Sequence, residues 1–423
     1  MLTQREQTLL ATLNEERLVG LCRKLISIPT VNLYSGDKAP AGEKAGLDYM
    51  EALYRSMGAQ VTRIPCDDAA FDKYQVLATK GRISEGRDNV VATFTFGNGD
   101  GPTVLMDAHM DTVAVDHYIG EPFAAELKEG MIYGRGSSDD KGGVSAMTEA
   151  AQMLLASPEG LNGKLVCCVV SEEECDGAGR GSISCVAHLP KPDYAMVIDG
   201  GYGQVTDGCC GVVTARISVP GRAGHAANGA INAIEQALKL VPAFENFRNM
   251  RGNLPGTMNF GLFQAGDHPA NVPNLATLAF NIKTNLKDMA AAKEKYGVDN
   301  GRLVRELFER CVFAIVDKDS SFEGLRPTIT WTKDMPATLA SALDPAFVEE
   351  FRAAYEDATG INPPVAPMQG WGDLAHFLRA GVSTVGLGAG AGCAHAATEF
   401  TKVENLVGTA RIAALAALRK LIR

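Results

Sequence analysis

The feature that most constrains the fold of this chain is an alternation of short runs rich in valine and isoleucine with segments whose apolar residues recur at helical spacing. Such alternation is typical of an α/β protein in which helices cover both faces of a mostly parallel sheet. The predicted strands span residues 89–96, 103–108, 164–171, 193–199 and 382–387. The predicted helices span residues 16–26, 45–57, 144–155, 231–240, 347–355 and 406–421.

The pattern changes between about residues 208 and 338, which indicates a second domain. VVTARISVPG and NLATLAFNIKTN alternate like half-exposed strands, while IEQALKLVPAF and RLVRELFERCV are patterned like amphipathic helices. A chain of 423 residues is also long enough for at least two packing units. We therefore predict a discontinuous outer domain, 1–207 and 339–423, that carries an inserted α+β domain at 208–338.

Charge and composition exclude several classes of protein. The 40 basic and 50 acidic residues give a net charge of −10, spread along the chain without the basic face that binding to nucleic acid needs. No apolar stretch approaches the roughly 18 to 20 residues that cross a membrane, and the polar start MLTQREQTLLATLNEER does not have the pattern of a secretory leader. Ten cysteines without a CxxC pair predict reduced thiols, so we expect a cytoplasmic protein.

The first chemical signal lies at the end of the 103–108 strand, where the chain continues as AHMDT. His109 and Asp111 are two residues apart, so both can lie on one side of the emerging chain. A histidine that binds a divalent ion usually donates its other ring N–H to a carboxylate, and Asp111 is placed to accept it. The pair alone is a weak signal, because a single histidine at a strand end is more often a structural residue.

A glycine-rich turn, GRGSSDDKGG at 134–143, leads into the next predicted helix. It lacks the spacing of a P-loop, and the carboxylates of Asp139 and Asp140 would repel a phosphate. A carboxylate at this place suits a cation. The alternative is that Asp139 only caps the helix that follows.

Three further strands lead directly to acids or to a histidine. KLVCCVV continues into Glu172, Glu173 and Glu174, whose mutual repulsion and desolvation are costly unless a cation compensates. AMVID ends in Asp199, and GVSTVGLGAGAG leads to His395. Because ligands of open α/β sheets gather at the carboxyl ends of the strands, we expect these side chains to converge.

Taken together, the histidines and carboxylates at these strand ends match a two-metal site. Such a site combines nitrogen and oxygen ligands, and one carboxylate bridges two ions about 3.5 to 4 Å apart. Mixed ligation of this kind suits zinc, and it also suits cobalt or manganese. The sequence therefore predicts two divalent ions, with zinc as the first choice.

The same residues stand in motifs that resemble the M20 metallopeptidases, which include acetylornithine deacetylase, succinyl-diaminopimelate desuccinylase, aminoacylase and carboxypeptidase G2. The motifs are AHMDTV at 108–113, GRGSSDDKGG at 134–143, SEEE at 171–174, the acid that ends MVID, GRAGHA at 221–226, NVPN at 271–274, and His395 followed by Glu399. The resemblance covers most of the chain. It implies a mostly parallel-stranded, zinc-peptidase-like catalytic domain with an inserted lid domain that also forms the interface of a homodimer.

The resemblance also implies which residues bind the ions. One ion would be held by His109, Asp139 and Asp199. The other would be held by Asp139, Glu174 and His395, so that Asp139 bridges the two ions.

Four more roles follow from the resemblance. Glu173 corresponds to the general base that takes a proton from the bridging water and delivers it to the leaving amine, and Asp111 to the carboxylate that orients His109. His225 resembles the lid histidine that reaches into the active site of the partner subunit and stabilises the developing oxyanion. Asn271 corresponds to a polar lid residue near the substrate.

The chain departs from the family pattern around the glutamates. Glu172 takes the place of the acid that precedes the two functional glutamates, and Cys175 and Asp176 intervene before the glycine that follows them. An alternative register is therefore open, in which Glu172 is the base and Glu173 is the ligand.

Further departures concern the substrate. Lys283 stands where many members have an arginine that binds a substrate carboxylate, and lysine keeps the charge but loses the bidentate fork. GWGD at 370–373 has Trp371 where small or polar residues are usual, while Asp373 resembles a residue near the substrate. Trp371 indicates a flatter or more aromatic ligand unless it only packs. With Asn271, these three are the candidate substrate-binding residues.

We therefore predict a two-metal hydrolase that cleaves the amide of a small N-acyl amino acid or dipeptide. A second hypothesis keeps the metals but assigns a non-peptide C–N bond, such as that of an aromatic amine or a catabolic amide, because of Lys283 and Trp371. A third is a non-catalytic binding protein on the same scaffold, which the intact ligand set and Glu173 disfavour. A nucleotide-binding enzyme is the weakest hypothesis, since neither the dinucleotide nor the P-loop fingerprint is present.

Overall fold

The computed structural model of the chain describes residues 2–225, 230–253 and 256–422. These residues form two units, each with a core of its own. The outer unit comprises the chain up to Gln75, Lys80–Cys209 and the chain from Thr338 onward, and the inserted unit comprises Val76–Thr79 and Cys210–Ala337. The sequence predicts an insertion at 208–338 but does not predict that Val76–Thr79 joins it.

Short runs with β-branched residues form the strands, and longer segments with helical periodicity form the helices. The described strands are β1 (Gln60–Ile64), β2 (Asn89–Phe96), β3 (Thr103–His109), β4 (Glu126–Lys128), β5 (Met131–Tyr133), β6 (Gly163–Val170), β7 (Tyr194–Ile198), β8 (Val205–Cys209), β9 (Gly211–Pro220), β10 (Gly224–His225), β11 (Met258–Ala265), β12 (Asn271–Val272), β13 (Leu275–Thr284), β14 (Thr328–Met335), β15 (Thr338–Leu339), β16 (Val365–Met368), β17 (Ser383–Leu387) and β18 (Phe400–Lys402). The described helices are α1 (Gln4–Ala11), α2 (Glu15–Ile26), α3 (Lys44–Ser56), α4 (Ala69–Lys73), α5 (Lys141–Leu155), α6 (Arg180–His188), α7 (Ala233–Leu238), α8 (Val241–Met250), α9 (Leu286–Tyr296), α10 (Arg302–Val316), α11 (Pro345–Thr359), α12 (Leu374–Arg379) and α13 (Val403–Leu421). Among these helices, none combines the length and the apolar character that a membrane crossing requires.

The outer unit is built on a nine-stranded sheet with the strand order β1-β2-β6-β3-β7-β17-β8-β15, in which β16 also pairs with β8. Its four central strands, β6, β3, β7 and β17, run parallel to one another. The predicted mostly parallel α/β sheet is therefore confirmed. Outside this centre, β2 pairs antiparallel with β6, and β8 pairs antiparallel with β17, which the alternation of strands and helices does not predict.

The central strands are buried on both faces because helices cover them. All residues of β3 except its first are buried, and all residues of β6 except its second. Strands buried in this way read as continuous apolar runs, which is why periodicity finds them. Helix α5 packs against α13 and is itself buried along almost its whole length.

The inserted unit has an antiparallel four-stranded sheet with the order β11-β13-β9-β14. Alternate residues of β9 and β13 are buried, as the half-exposed pattern predicts. The buried face meets helices α8 and α10 through aromatic contacts of Phe280 with Phe244 and Phe308. The predicted helix at 231–240 contains only α7, and the amphipathic pattern of IEQALKLVPAF continues into a second helix, α8, which begins at Val241. Pro242 lies in the first turn of α8, where a proline starts a helix better than it continues one.

Candidate metal centre

The carboxyl ends of the four parallel strands bring the candidate ligands to one edge of the sheet. His109 is the last residue of β3, and Asp199 directly follows β7. Glu174 lies in the loop after β6, and His395 lies in the loop after β17. Because parallel strands end at the same edge, residues that are far apart in the sequence meet there.

His109, Asp139 and Asp199 form the first group of possible metal ligands. One potential ligand atom from each of these side chains lies within 4.8 Å of the others. The Nε2 atom of His109 is 2.9 Å from Oδ1 of Asp139, and the imidazole is almost fully buried. The predicted first ligand set is thus brought together in space.

Asp139, Glu174 and His395 form the second group, which meets the same distance criterion. The Nε2 atom of His395 lies 2.8 Å from Oε1 of Glu174 and 3.2 Å from Oδ2 of Asp139. Asp139 thus faces one histidine with each of its two carboxylate oxygens. This arrangement is the one that a bridging ligand between two ions requires.

The loop before α5 is shaped so that Asp139 faces the histidines. Glu399 accepts hydrogen bonds from the backbone N–H groups of Gly136, Ser138 and Asp139, and from the guanidinium of Arg135 at 2.7 Å. Helix α5 begins only after this loop, and the carboxylate of Asp139 contacts the two imidazoles. The alternative that Asp139 only caps the helix therefore does not describe its contacts.

Asp111 connects the ends of β3 and β6. Its carboxylate accepts hydrogen bonds from the backbone N–H groups of Glu173 and Glu174, at 3.2 and 3.1 Å, and from Nδ2 of Asn32 at 2.7 Å. The Nδ1 atom of His109 lies 3.0 Å from the backbone carbonyl of Asp111 and 3.6 Å from its Oδ1. Asp111 therefore contacts His109 mainly through its backbone, while its carboxylate holds the loop that carries the glutamates.

The three glutamates after β6 have different surroundings. Glu174 is buried beside His395 and Asp139, and Glu173 is half-buried next to it. Glu172 is buried and forms ion pairs with Arg82 and Arg87 instead. Of these three glutamates, only Glu174 belongs to a group of possible metal ligands in the described part of the chain. The register with Glu173 as the base and Glu174 as the ligand requires this.

The charges at this edge favour a cation. Burial and the neighbouring Asp139 raise the pKa of Asp199 to about 6 and that of Glu174 to about 7. Hydrogen bonds to Asp139 and Glu174 raise the pKa of His395 to about 11. Burial also raises the pKa of Asp140, whose Oδ2 accepts a hydrogen bond from the backbone N–H of His109 at 3.3 Å. Carboxylates crowded in this way are costly to keep ionised, and divalent cations compensate them, so the donor set fits such ions.

Two of the predicted substrate-binding residues of the outer unit have protein partners. Asp373 is buried, and its Oδ2 lies 2.5 Å from the hydroxyl of Ser182, which also contacts Asp107 at 2.9 Å. The indole ring of Trp371 packs against the core and lies edge-on to the ring of His376, with 5.1 Å between the ring centroids. The packing alternative for Trp371 thus accounts for its position.

Three predicted residues lie in the inserted unit. His225 and Asn271 face each other across the antiparallel pair of β10 and β12, and both are exposed. Lys283 lies near the far end of β13, where it pairs with Val212 of β9. From Leu275, where β13 begins, the strand extends about 25 Å to Lys283. Lys283 is therefore not brought to His225 and Asn271 within one unit. The last residue of the GRAGHA motif, Ala226, lies outside the described residues.

Sequence reasoning does not find several residues that shape the site. Asn32, Arg82 and Arg87 contact Asp111 or Glu172 directly, but they lie in irregular segments without a motif. Ser182 contacts Asp373 from helix α6. No periodic signal marks these residues, because their partners are close only in the folded chain.

The mainly parallel sheet brings imidazoles and carboxylates together at its carboxyl edge, an arrangement typical of metal-dependent hydrolases. Three solved structures have a similar fold: a tripeptidase from Staphylococcus aureus (18% identity over 96% of this chain and 98% of that chain, TM-score 0.68), human carnosine dipeptidase 1 (14% over 98% and 99%, TM-score 0.71), and the Bacillus subtilis YXEP protein, a dinuclear metal binding peptidase from the M20 family (14% over 97% and 99%, TM-score 0.60).

Residues 105–419 match the peptidase family M20/M25/M40. The chain belongs to this family. It is accordingly an enzyme, a divalent-metal-dependent amide hydrolase.

Proposed function

We propose that the protein cleaves the amide bond of a small N-acyl amino acid or dipeptide-like substrate at a pair of divalent ions. The observation that carries the proposal is the presence of two ligand groups that share Asp139. Under this proposal, His109 and Asp199 complete one group, and Glu174 and His395 complete the other. The chemistry that a pair of divalent ions supplies is activation of water at neutral pH and polarisation of the amide carbonyl. The mixed ligands suit zinc, with cobalt and manganese as alternatives.

Glu173 is the proposed general base. It lies next to Glu174 in the chain, and the N–H of Glu173 is held by Asp111. Burial raises the pKa of Glu173 well above its usual value, and the negative charges of Asp373 and Glu174 raise it further. A carboxylate with a raised pKa accepts a proton from water more readily, and it can deliver that proton to the leaving amine.

The enzyme is proposed to act as a homodimer through the inserted unit. Strand β11 lies at one end of the sheet order of that unit and pairs with β13. Its sequence, MNFGLFQA, is uncharged, and Phe260 and Phe263 are 38% and 43% exposed. An apolar strand at a sheet edge is a template for pairing with another strand, and a symmetric dimer would cover it.

We further propose that the enzyme works in a reducing compartment, the cytoplasm. All ten cysteines are free, and seven of them are buried. A secreted protein of an oxidising compartment more often carries disulfides.

The substitution Glu173→Ala tests the proposed mechanism. We expect turnover to fall by about 10²- to 10⁴-fold, because the proton acceptor is lost, while the protein still binds two ions per chain. Steady-state kinetics on metal-loaded protein and elemental analysis measure the two effects. The matched control is Glu404→Gln, which changes an exposed glutamate of α13. Near-normal turnover of the Glu173 variant would show that another residue is the base.

A substrate panel tests the proposed specificity. Metal-loaded wild-type protein is assayed on N-acetyl amino acids, dipeptides, tripeptides, aryl amides and aryl amines. We expect cleavage of compounds from the first three classes. If only aryl amides or aryl amines react, the hypothesis of a non-peptide C–N bond replaces the first. If the protein takes up no metal and nothing reacts, the hypothesis of a binding protein replaces both.

A further inference from the structure

Glu172 is a buried carboxylate next to the proposed base and ligand, and its own contacts are with arginines. It forms ion pairs with Nε of Arg82 and Nη2 of Arg87. Nη2 of Arg87 also bonds to Glu43 at 2.6 Å. All four side chains are at most a few per cent exposed. Buried ion pairs contribute little net stability, so their presence beside the site suggests a role in positioning.

The loop after β6 has an unusual backbone. Glu172, Cys175, Asp176 and Ala178 all have positive φ angles, between 55° and 65°, although none of them is glycine. Such conformations persist only where the surroundings hold them, and they concentrate at functional sites. The loop that carries Glu173 and Glu174 therefore needs external support.

Arg82 supplies this support on both sides of the two glutamates. Its Nε contacts the carboxylate of Glu172, and its Nη1 donates to the backbone carbonyl of Cys175 at 3.0 Å. The ring of Tyr34 covers the guanidinium, 3.9 Å from the ring centroid. The planar guanidinium of Arg82 thus holds the residues on either side of Glu173 and Glu174.

Asn32 links this cluster to the candidate ligands. Its amide Nδ2 donates to Asp111 at 2.7 Å and lies 3.4 Å from Oε1 of Glu172, while its Oδ1 accepts from Arg82 at 3.2 Å. Asp111 in turn accepts the backbone N–H of Glu174. The side chains form one connected network that ends at the backbone of the proposed ligand.

We propose that Glu172 is a positioning residue whose ion pairs with Arg82 and Arg87 fix the loop, so that Glu174 can bind the second ion. The inference rests on the proposed function of Glu174 as a ligand. It assigns no proton transfer and no metal bond to Glu172. It predicts that the effect of changing Glu172 falls on one of the two ions.

Metal binding to the Glu172→Gln protein tests this prediction. The protein is freed of metal with a chelator and titrated with Co²⁺ alone in a calorimeter, beside wild type. We expect two binding events in wild type. In the variant, we expect one event close to that of wild type and a second weakened by about 10- to 100-fold, the usual effect of changing a side chain that orients a ligand. Turnover should fall at limiting Co²⁺ and recover in excess Co²⁺.

A matched control separates positioning from general stability. Glu149 is also a buried carboxylate paired with an arginine, Arg17, and it lies away from the candidate ligands on α5. The substitution Glu149→Gln should lower the melting temperature but leave both Co²⁺ affinities unchanged. If Glu172→Gln does not fold, Arg82→Lys serves in its place, because it keeps the charge and loses the two-sided contact. Circular dichroism establishes which variants are folded.

The outcomes are distinct. If wild type takes up no Co²⁺, the proposed function fails, whatever Glu172 does. If wild type binds two ions and a folded Glu172 or Arg82 variant binds both with unchanged affinity, the positioning inference fails. If the Glu172 variant binds both ions normally but stays inactive in excess Co²⁺, then Glu172 is itself the base, as in the alternative register.

Discussion

At the scale of single residues, His376 shows how burial next to the site makes stability depend on pH. The Nε2–H of His376 donates to the backbone carbonyl of Ala178, at 2.9 Å, in the loop that carries the glutamates. Burial, assisted by the charge of Arg379, lowers the pKa of His376 to about 4. The folded protein therefore favours the neutral ring. The neutral ring of His376 contributes to stability above the ordinary pKa of histidine, near 6.5. This contribution is lost as the pH falls from 6.5 towards 4, because the unfolded chain then binds a proton that the folded protein does not bind.

This dependence gives a prediction for His376→Gln. Glutamine keeps a donor for Ala178 but does not titrate, so the variant should lack the part of the pH dependence that histidine causes. We expect the free energy of unfolding of wild type to fall by about 2 kcal/mol more than that of the variant between pH 7.5 and 5. Urea unfolding curves of both proteins at both pH values measure the difference. Equal losses in the two proteins would contradict the prediction.

The proposed metal ligands can be recognised in the sequence more readily than the residues that hold the ligand loops in place. His109 ends β3, Asp199 directly follows β7, and His395 lies in the loop after β17. Each follows an apolar run, so their convergence can be predicted from the rule for parallel sheets. Arg82 and Asn32 lie in irregular segments, and they acquire their partners only through the tertiary fold. No periodicity or spacing marks such residues, which explains why the network around Glu172 has no sequence signal.

At the scale of elements, the close approach of α5 to the end of β7 requires a glycine. A Cβ atom on Gly143 would lie 2.0 Å from the backbone carbonyl oxygen of Ile198 and 2.1 Å from Oδ1 of Asp140. Ile198 directly precedes Asp199, and Asp140 directly follows Asp139. Any side chain at Gly143 therefore pushes apart the two segments that carry these proposed ligands.

We accordingly expect Gly143→Ala to destabilise the protein by about 1–3 kcal/mol, the usual cost of overpacking, and to weaken metal binding. Gly20→Ala is the matched control, because Gly20 also lies inside a helix, α2, and a Cβ there meets nothing within 4 Å. It should stabilise the protein by about 0.5–1 kcal/mol. Thermal unfolding and Co²⁺ titration measure both effects. If both variants behave alike, the close approach at Gly143 is not a constraint.

Periodicity predicts ten of the 21 described strands and helices of the outer unit, chiefly the long ones that bury the most residues. Strands β2, β3, β6, β7 and β17 and helices α2, α3, α5, α11 and α13 lie where the pattern predicts them, with ends that differ by a few residues. Short elements such as β15 and β16 bury too few residues to leave a pattern. The antiparallel direction of β2 is also not visible in the pattern, because a buried strand can have the same apolar residues whether its neighbour is parallel or antiparallel.

At the scale of the whole molecule, the predicted substrate-binding and oxyanion-binding residues of the inserted unit lie at two separate places. His225 and Asn271 face each other at one place in the unit, and Lys283 lies about 25 Å along β13 from the start of that strand. A small substrate cannot contact both places of the same unit. We propose that the two places serve different active sites, and that His225 serves the site of the partner subunit, as the family resemblance implies.

Mixing two inactive variants tests this division. Glu173→Gln lacks the proposed base, and His225→Ala lacks the proposed oxyanion contact, so each homodimer should be nearly inactive. If His225 acts across the interface, a mixed dimer contains one site with both residues intact. Random exchange of subunits makes about half of the dimers mixed, so the mixture should regain about a quarter of wild-type turnover. Glu173→Gln mixed with Glu173→Ala is the control and should regain none. If the first mixture also regains none while sedimentation shows that the subunits exchange, then His225 acts within its own chain or not at all.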